Sequence, residues 1–129
     1  MYWAIELSEE TSNKIQNLIA LVVRIPKDWT ICCDHITVVH PKQLTALKWE
    51  EIDNILSNFE GHSVCFKITS LAQNEGVIAV GVSVKTLNKH SHITIAHAQG
   101  YKPVESNNLT EWVPVICFGD FVGRLVKKK

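Results

Sequence analysis

The sequence carries no excess of charge of either sign: thirteen lysines and arginines stand against thirteen aspartates and glutamates. A chain without a net field has little electrostatic grip on a long phosphate backbone, so tight binding of long nucleic acid is not expected. No apolar run reaches the ~18 residues of a membrane-spanning helix, and no membrane partner is expected either. The N-terminus opens on a strand pattern rather than on a basic and then apolar segment, so no secretory leader is expected. Four cysteines, Cys32, Cys33, Cys65 and Cys117, form no Cys-x-x-Cys pair and no metal-ligand spacing. They read as reduced thiols used as small hydrophobes, which implies a cytoplasmic protein. No acidic cluster is available to hold a cation, so neither metal nor cofactor is expected.

What is present fits one globular domain spanning residues 1–129, with 46% hydrophobic and 20% charged residues. Tyr2 to Leu7 alternates as a short strand. Ser8, followed by Glu9 and Glu10, starts a helix with a hydroxyl cap and acids near the positive end of the dipole. Ile15, Leu18, Ile19 and Val22 form its buried face, and Pro26 ends the pattern. Thr30 to Val39 reads as one strand closed by Pro41. Leu44 to Phe59 is a second helix with a stripe of Trp49, Ile52, Ile55, Leu56 and Phe59, and Gly61 stands as its C′ glycine. Ser63–Leu71 and Val77–Val84 flank a turn at residues 73–76. Ser91–Ala98 is another strand, followed by a polar loop from Gly100 to Trp112. Val113–Phe118 and Phe121–Val126 read as a hairpin around Gly119-Asp120. The three final lysines read as a frayed, solvated tail. The fold class is α+β: a curved, mostly antiparallel sheet in two lobes with two helices on the outside.

Two of these strands carry the same pattern. His35-Ile36-Thr37-Val38 and His92-Ile93-Thr94-Ile95 each put a histidine and a threonine on one face, with branched aliphatics behind. If the strands are neighbours, two imidazoles and two hydroxyls converge. Breaking a phosphodiester needs a base for the attacking oxygen and an acid for the leaving one. Two histidines titrating near neutrality supply both roles, and either can be the base. Thr37 and Thr94 can donate to the non-bridging oxygens and stabilise the charge that develops there. A single His-x-Thr strand is ordinarily structural. The doubled motif is what turns the reading towards a site.

Two His-x-Thr strands in a small α+β domain resemble the 2H phosphoesterase superfamily, and the likeness covers nearly the whole chain. The segment His92-Ile-Thr-Ile with Lys102-Pro-Val-Glu-Ser-Asn-Asn-Leu also resembles the second-motif region of two relatives. These are the cyclic phosphodiesterase domain of plant and fungal tRNA ligases and compact phage enzymes that cut cyclic oligonucleotides. The resemblance implies a metal-independent phosphodiesterase with His35, Thr37, His92 and Thr94 as its catalytic set. Its substrate would be a small nucleotide with a phosphodiester or cyclic phosphate. A cyclic dinucleotide or oligonucleotide signal is the favoured one, cleaved in host cytoplasm for viral immune evasion. RNA 2′,3′-cyclic phosphodiesterase activity in RNA repair or tRNA splicing is the alternative, and a non-catalytic nucleotide-binding module the third reading.

Other residues are weighed around this set. Among the aromatics Tyr2, Trp3, Trp29, Tyr101 and Trp112, Tyr101 is the first choice to stack on a base and Tyr2 the next. Lys102, Ser106 and Asn107 are candidates to contact phosphate or base edges. His40 and His97 sit five residues after the motif histidines, so strand parity turns them away. His90 reads as a surface-loop residue and His62 as a complement to a helix C-terminus. No ligase or kinase domain is expected to be attached, and a monomer is expected.

Overall fold

The computed structural model describes residues 1–129 apart from the side chains of residues 117 and 118, so Cys117 as a thiol lies outside the described residues. Seven strands and two α-helices follow one another along the chain. They are β1 (Tyr2–Glu6), α1 (Glu9–Ala20), β2 (Thr30–Ile31), β3 (His35–Val39) and α2 (Ala46–Ser57), then β4 (Ser63–Gln73), β5 (Val77–Val82), β6 (His92–His97) and β7 (Val113–Lys128). The class is α+β, and every strand pairing is antiparallel. The order is β2-β6-β3-β1-β7-β4-β5, and β5 pairs back onto β6. That last pairing closes the sheet on itself. The two lobes expected from the sequence therefore share one continuous sheet.

α1 begins as its sequence requires, with the Ser8 hydroxyl accepting from the Thr11 N–H at 3.1 Å. Ile15 and Ile19 are buried, but Val22 is 53% exposed because the helix stops at Ala20, and Val23 is buried in its place. The strand expected over Thr30–Val39 is broken into β2 and β3. Cys33 adopts a positive φ of 47°. The break follows from a change of neighbour: Cys32 and Cys33 donate to Ile95 and Thr94 of β6, whereas the Asp34 carbonyl accepts from Leu7.

α2 is capped by Thr45, whose hydroxyl accepts from the Lys48 N–H at 3.2 Å. None of its residues is fully buried; Trp49, Ile52 and Leu56 pack against the core while Ile55 and Phe59 remain about half exposed. Polar clamps supplement this thin stripe. Asp53 accepts from Trp3 Nε1 at 2.8 Å and pairs with Lys127 Nζ at 2.9 Å. Gly61 is not the C′ residue: Asn58 caps the helix, and Gly61, at φ 86°, turns the chain towards β4 while donating to Leu125.

The hairpin expected after Trp112 is instead the single strand β7, paired with β4 and then with β1. β4 is eleven residues long and offers partners along its whole length, so the chain need not turn back. The Gly119-Asp120 signal is absorbed as an irregularity: Phe66 pairs with Phe121 and Ser70 with Pro114, so β7 spends extra residues there, with Gly119 at φ 44°. The tail is not frayed through Lys128 either. Lys127 holds Asp53, and Lys128 holds Glu6 at 2.7 Å.

One face of the sheet packs Trp3, Ile5, Ile36, Ile93 and Ile95 with Ile15 and Ile19 of α1. Burying each such aliphatic side chain contributes about 1.5–3 kcal/mol before entropy is set against it. β5 is buried on both faces. Ile78 and Val80 join that core, whereas Val77 and Ala79 form a smaller cluster with Ala72 and Leu109, against which Tyr101 and Trp112 pack. This second cluster pins the loop after β6 to the sheet. Among the described residues no helix is long and apolar enough to cross a membrane.

Candidate active site

β3 and β6 are neighbours, with Ile36 opposite Ile93. Because strand side chains alternate, burying these two isoleucines turns His35, Thr37, His92 and Thr94 to the other face. All four line one cavity of about 430 Å³, together with Tyr2, Asn107 and others. Ala4, opposite Thr37, is fully buried.

The two histidines are held differently. His35 Nδ1 lies 2.7 Å from Asp34 Oδ1, and the hydrogen bond from His35 holds the Asp34 carboxyl below its ordinary range. Since a carboxylate only accepts, Nδ1 carries the proton. Nε2, without a protein partner among the described residues, is left as the free nitrogen. His92 is 8% exposed, with Nδ1 donating to the His90 carbonyl at 2.7 Å. Its Nε2 is 2.9 Å from Ser106 Oγ. Burial is the main force pushing its pKa down, with smaller repulsion from His90 and His35; the bond to the His90 carbonyl acts the other way.

Ser106 is only 1% exposed and also lies 2.7 Å from Thr94 Oγ1. It belongs to a 3₁₀ helix, Pro103–Asn108, that the second cluster holds against β6. Read from the sequence as a substrate contact, Ser106 lines the cavity and is also bound to both residues of the second motif. Asn107 beside it lines the cavity as well. Tyr101 and Lys102 do not. The Tyr101 ring packs on Gly76, where a Cβ would meet it at 2.0 Å, and Lys102 stands exposed, its N–H donating to Glu105 at 2.6 Å. Trp3 is fully buried in the core.

Two histidines outside the motifs border the site. His40 lines the main cavity and stacks on Tyr2 at 5.8 Å, because β3 ends at Val39 and strand parity no longer applies. Burial and, after it, Lys42 push its pKa down. His90 lies flat on Trp112, with centroids 4.0 Å apart and planes at 7°, and lines an adjoining cavity of about 270 Å³. Gly81 makes room for it: a Cβ there would come within 3.0 Å of His90 Nε2 and 2.0 Å of Ser70 Oγ. The tryptophan and glycine signals were present in the sequence, but no period connects them to His90. His97 bonds to the Ala98 carbonyl, and His62 meets the Phe59 ring edge-on.

Among the described residues no three His, Cys, Asp or Glu side chains come together as metal ligands would. Of the three described cysteines only Cys33 is buried, which raises its thiol pKa to about 11. No protein-family model matches the chain, and no curated protein matches it.

Proposed function

We propose that the protein is a metal-independent phosphodiesterase of the 2H type acting on a small nucleotide substrate. The observation that carries this reading is the convergence of His35, Thr37, His92 and Thr94 in one cavity. A scissile phosphate between the imidazoles would meet a proton acceptor on one side and a donor on the other, with the Thr37 hydroxyl available to its non-bridging oxygens. The balanced charge of the protein favours a small substrate over a long chain. The favoured substrate is a cyclic dinucleotide or oligonucleotide signal. Reaction begins with attack of the neighbouring ribose hydroxyl on phosphorus and expulsion of the next nucleoside's oxygen, giving a 2′,3′-cyclic phosphate that water can then open.

The test is turnover, in excess EDTA, of cyclic GMP–AMP isomers beside an RNA oligonucleotide ending in a 2′,3′-cyclic phosphate. Cleavage of the cyclic dinucleotides, lost when the reacting ribose lacks its hydroxyl, is the expected result. Preference for the RNA end would move the assignment to RNA repair. No turnover of any phosphodiester would overturn it, as would loss of activity on chelation with recovery in Mn²⁺ or Zn²⁺.

A further inference from the structure

Ser106 has one hydrogen and three close partners. Its Oγ lies 2.9 Å from His92 Nε2, 2.7 Å from Thr94 Oγ1 and 2.7 Å from the Pro103 carbonyl. A carbonyl only accepts, so the Pro103 contact is a hydrogen bond only when Ser106 supplies the hydrogen. The same rule applied at the His90 carbonyl fixes a proton on His92 Nδ1. In a neutral imidazole Nε2 is then a bare acceptor that also needs the Ser106 hydrogen. One hydrogen cannot serve both. Protonating Nε2 removes the conflict. Nε2–H donates to Ser106, Ser106 donates to Pro103, and Thr94, whose hydroxyl also lies 3.3 Å from the Pro103 carbonyl, donates over the shorter contact into the remaining lone pair of Ser106. All three short contacts are then hydrogen bonds.

The surroundings offer His92 no other support as a cation. His90, His35 across the strand pair, and His40, Lys42 and Lys89 on the cavity walls are the groups that can carry charge near it, and all would be positive. The nearby carboxylates are engaged elsewhere, Asp34 with His35 and Glu105 with the Lys102 N–H. Stabilisation of the imidazolium comes from the His90 carbonyl on one nitrogen and Ser106 on the other.

We propose that Ser106 is a positioning residue that supports the imidazolium form of the buried His92 ring, making His92 the general acid and His35, aligned by Asp34, the general base. The role assignment rests on the phosphodiesterase reading; the hydrogen-bond circuit does not. In the reaction the attacking hydroxyl gives its proton to His35 Nε2 as the new O–P bond forms. The leaving oxygen, entering beside Ser106 Oγ, takes the His92 Nε2 proton as its own P–O bond breaks. Ser106 then turns its hydrogen from Pro103 to the bare Nε2. One histidine gains a proton and the other loses one, and exchange with water resets the pair.

The sign of one titration decides the matter. His92 is followed by NMR in the wild type, in Ser106→Ala and in Ser106→Thr, its signal identified by loss in His92→Gln. Removing the hydroxyl should lower the titration midpoint by about one pH unit, a tenfold loss of proton affinity, and threonine should restore it. A rise or no change in the alanine variant would overturn the proposal, because the hydroxyl would then serve the neutral ring or neither form. The spectrum needs no turnover, so an inactive protein would sink the phosphodiesterase reading while leaving this result standing.

Discussion

Ile36 of β3 faces Ile93 of β6, and this is the one register pair through which the two His-x-Thr strands meet. Neither isoleucine touches the cavity, yet burying both fixes which way their neighbours point. A slip of one residue in either strand would turn its histidine and threonine into the core and its isoleucines into the site. The apolar residues of the motif thus hold the polar ones in place.

The first prediction concerns the paired imidazoles. His35→Ala and His92→Ala should each lower turnover by ~10²–10⁴-fold, while circular dichroism remains that of the wild type. Thr37→Ala and Thr94→Ala should cost less, since the first deletes one hydrogen bond to the phosphate and the second the bond that steadies Ser106. A variant at either histidine with full turnover would remove that residue from the mechanism.

The second concerns pH and stability. The folded pKa of His92 is depressed below its reference value of 6.5, chiefly by burial. Between the two values the unfolded chain binds more protons than the folded one, so stability rises with pH in that window. The contribution is complete above 6.5 and is lost as the pH falls towards the folded value. The urea midpoint should therefore drop between about pH 7.5 and 5, and His92→Gln should show a smaller drop. Equal drops in the two proteins would contradict the assignment of this window to His92.

Much of this architecture was legible in local patterns. Alternation in HITV and HITI identified the strands and the shared face, and Ser8 with two glutamates identified α1. Long-range competition decided the rest. Gly119-Asp120 has the chemistry of a turn, but an eleven-residue β4 offers a continuous partner, so the chain passes through it as β7. Strand parity turns His40 away from the site, but the strand ends one residue earlier at Val39. Tyr101 looked like a loop aromatic free to stack on a base, but Gly76 leaves a flat seat for its ring. Ser106 lies fourteen residues from His92 and twelve from Thr94, and no period of helix or strand connects them.

That seat gives the third prediction. Gly76→Ala places a Cβ about 2.0 Å from the Tyr101 ring, which cannot yield without lifting the loop after β6. Overpacking of this kind costs ~1–3 kcal/mol. Because the same loop delivers Ser106 to His92, turnover should fall although the substitution lies outside the cavity. Chemical denaturation and turnover of one sample test both halves. A variant as stable and active as wild type would show that the ring accommodates the methyl group without moving the loop.

The last prediction separates the roles of the two histidines by the chemistry of the leaving group. A general acid matters in proportion to how poorly the departing oxygen bears negative charge. A ribose oxygen bears it badly and needs the proton that His92 would supply. A nitrophenolate bears it well and needs none. On a uridine 3′-(4-nitrophenyl phosphate) probe, His92→Ala should regain most of its activity relative to wild type, because the step it has lost is no longer required. His35→Ala should stay impaired by ~10²–10⁴-fold on this probe as on an ordinary dinucleotide, because the ribose hydroxyl must still lose its proton to attack. The opposite pattern would exchange the two roles and detach Ser106 from the acid. Rescue of neither variant would mean that proton transfer to the leaving oxygen is not what His92 contributes.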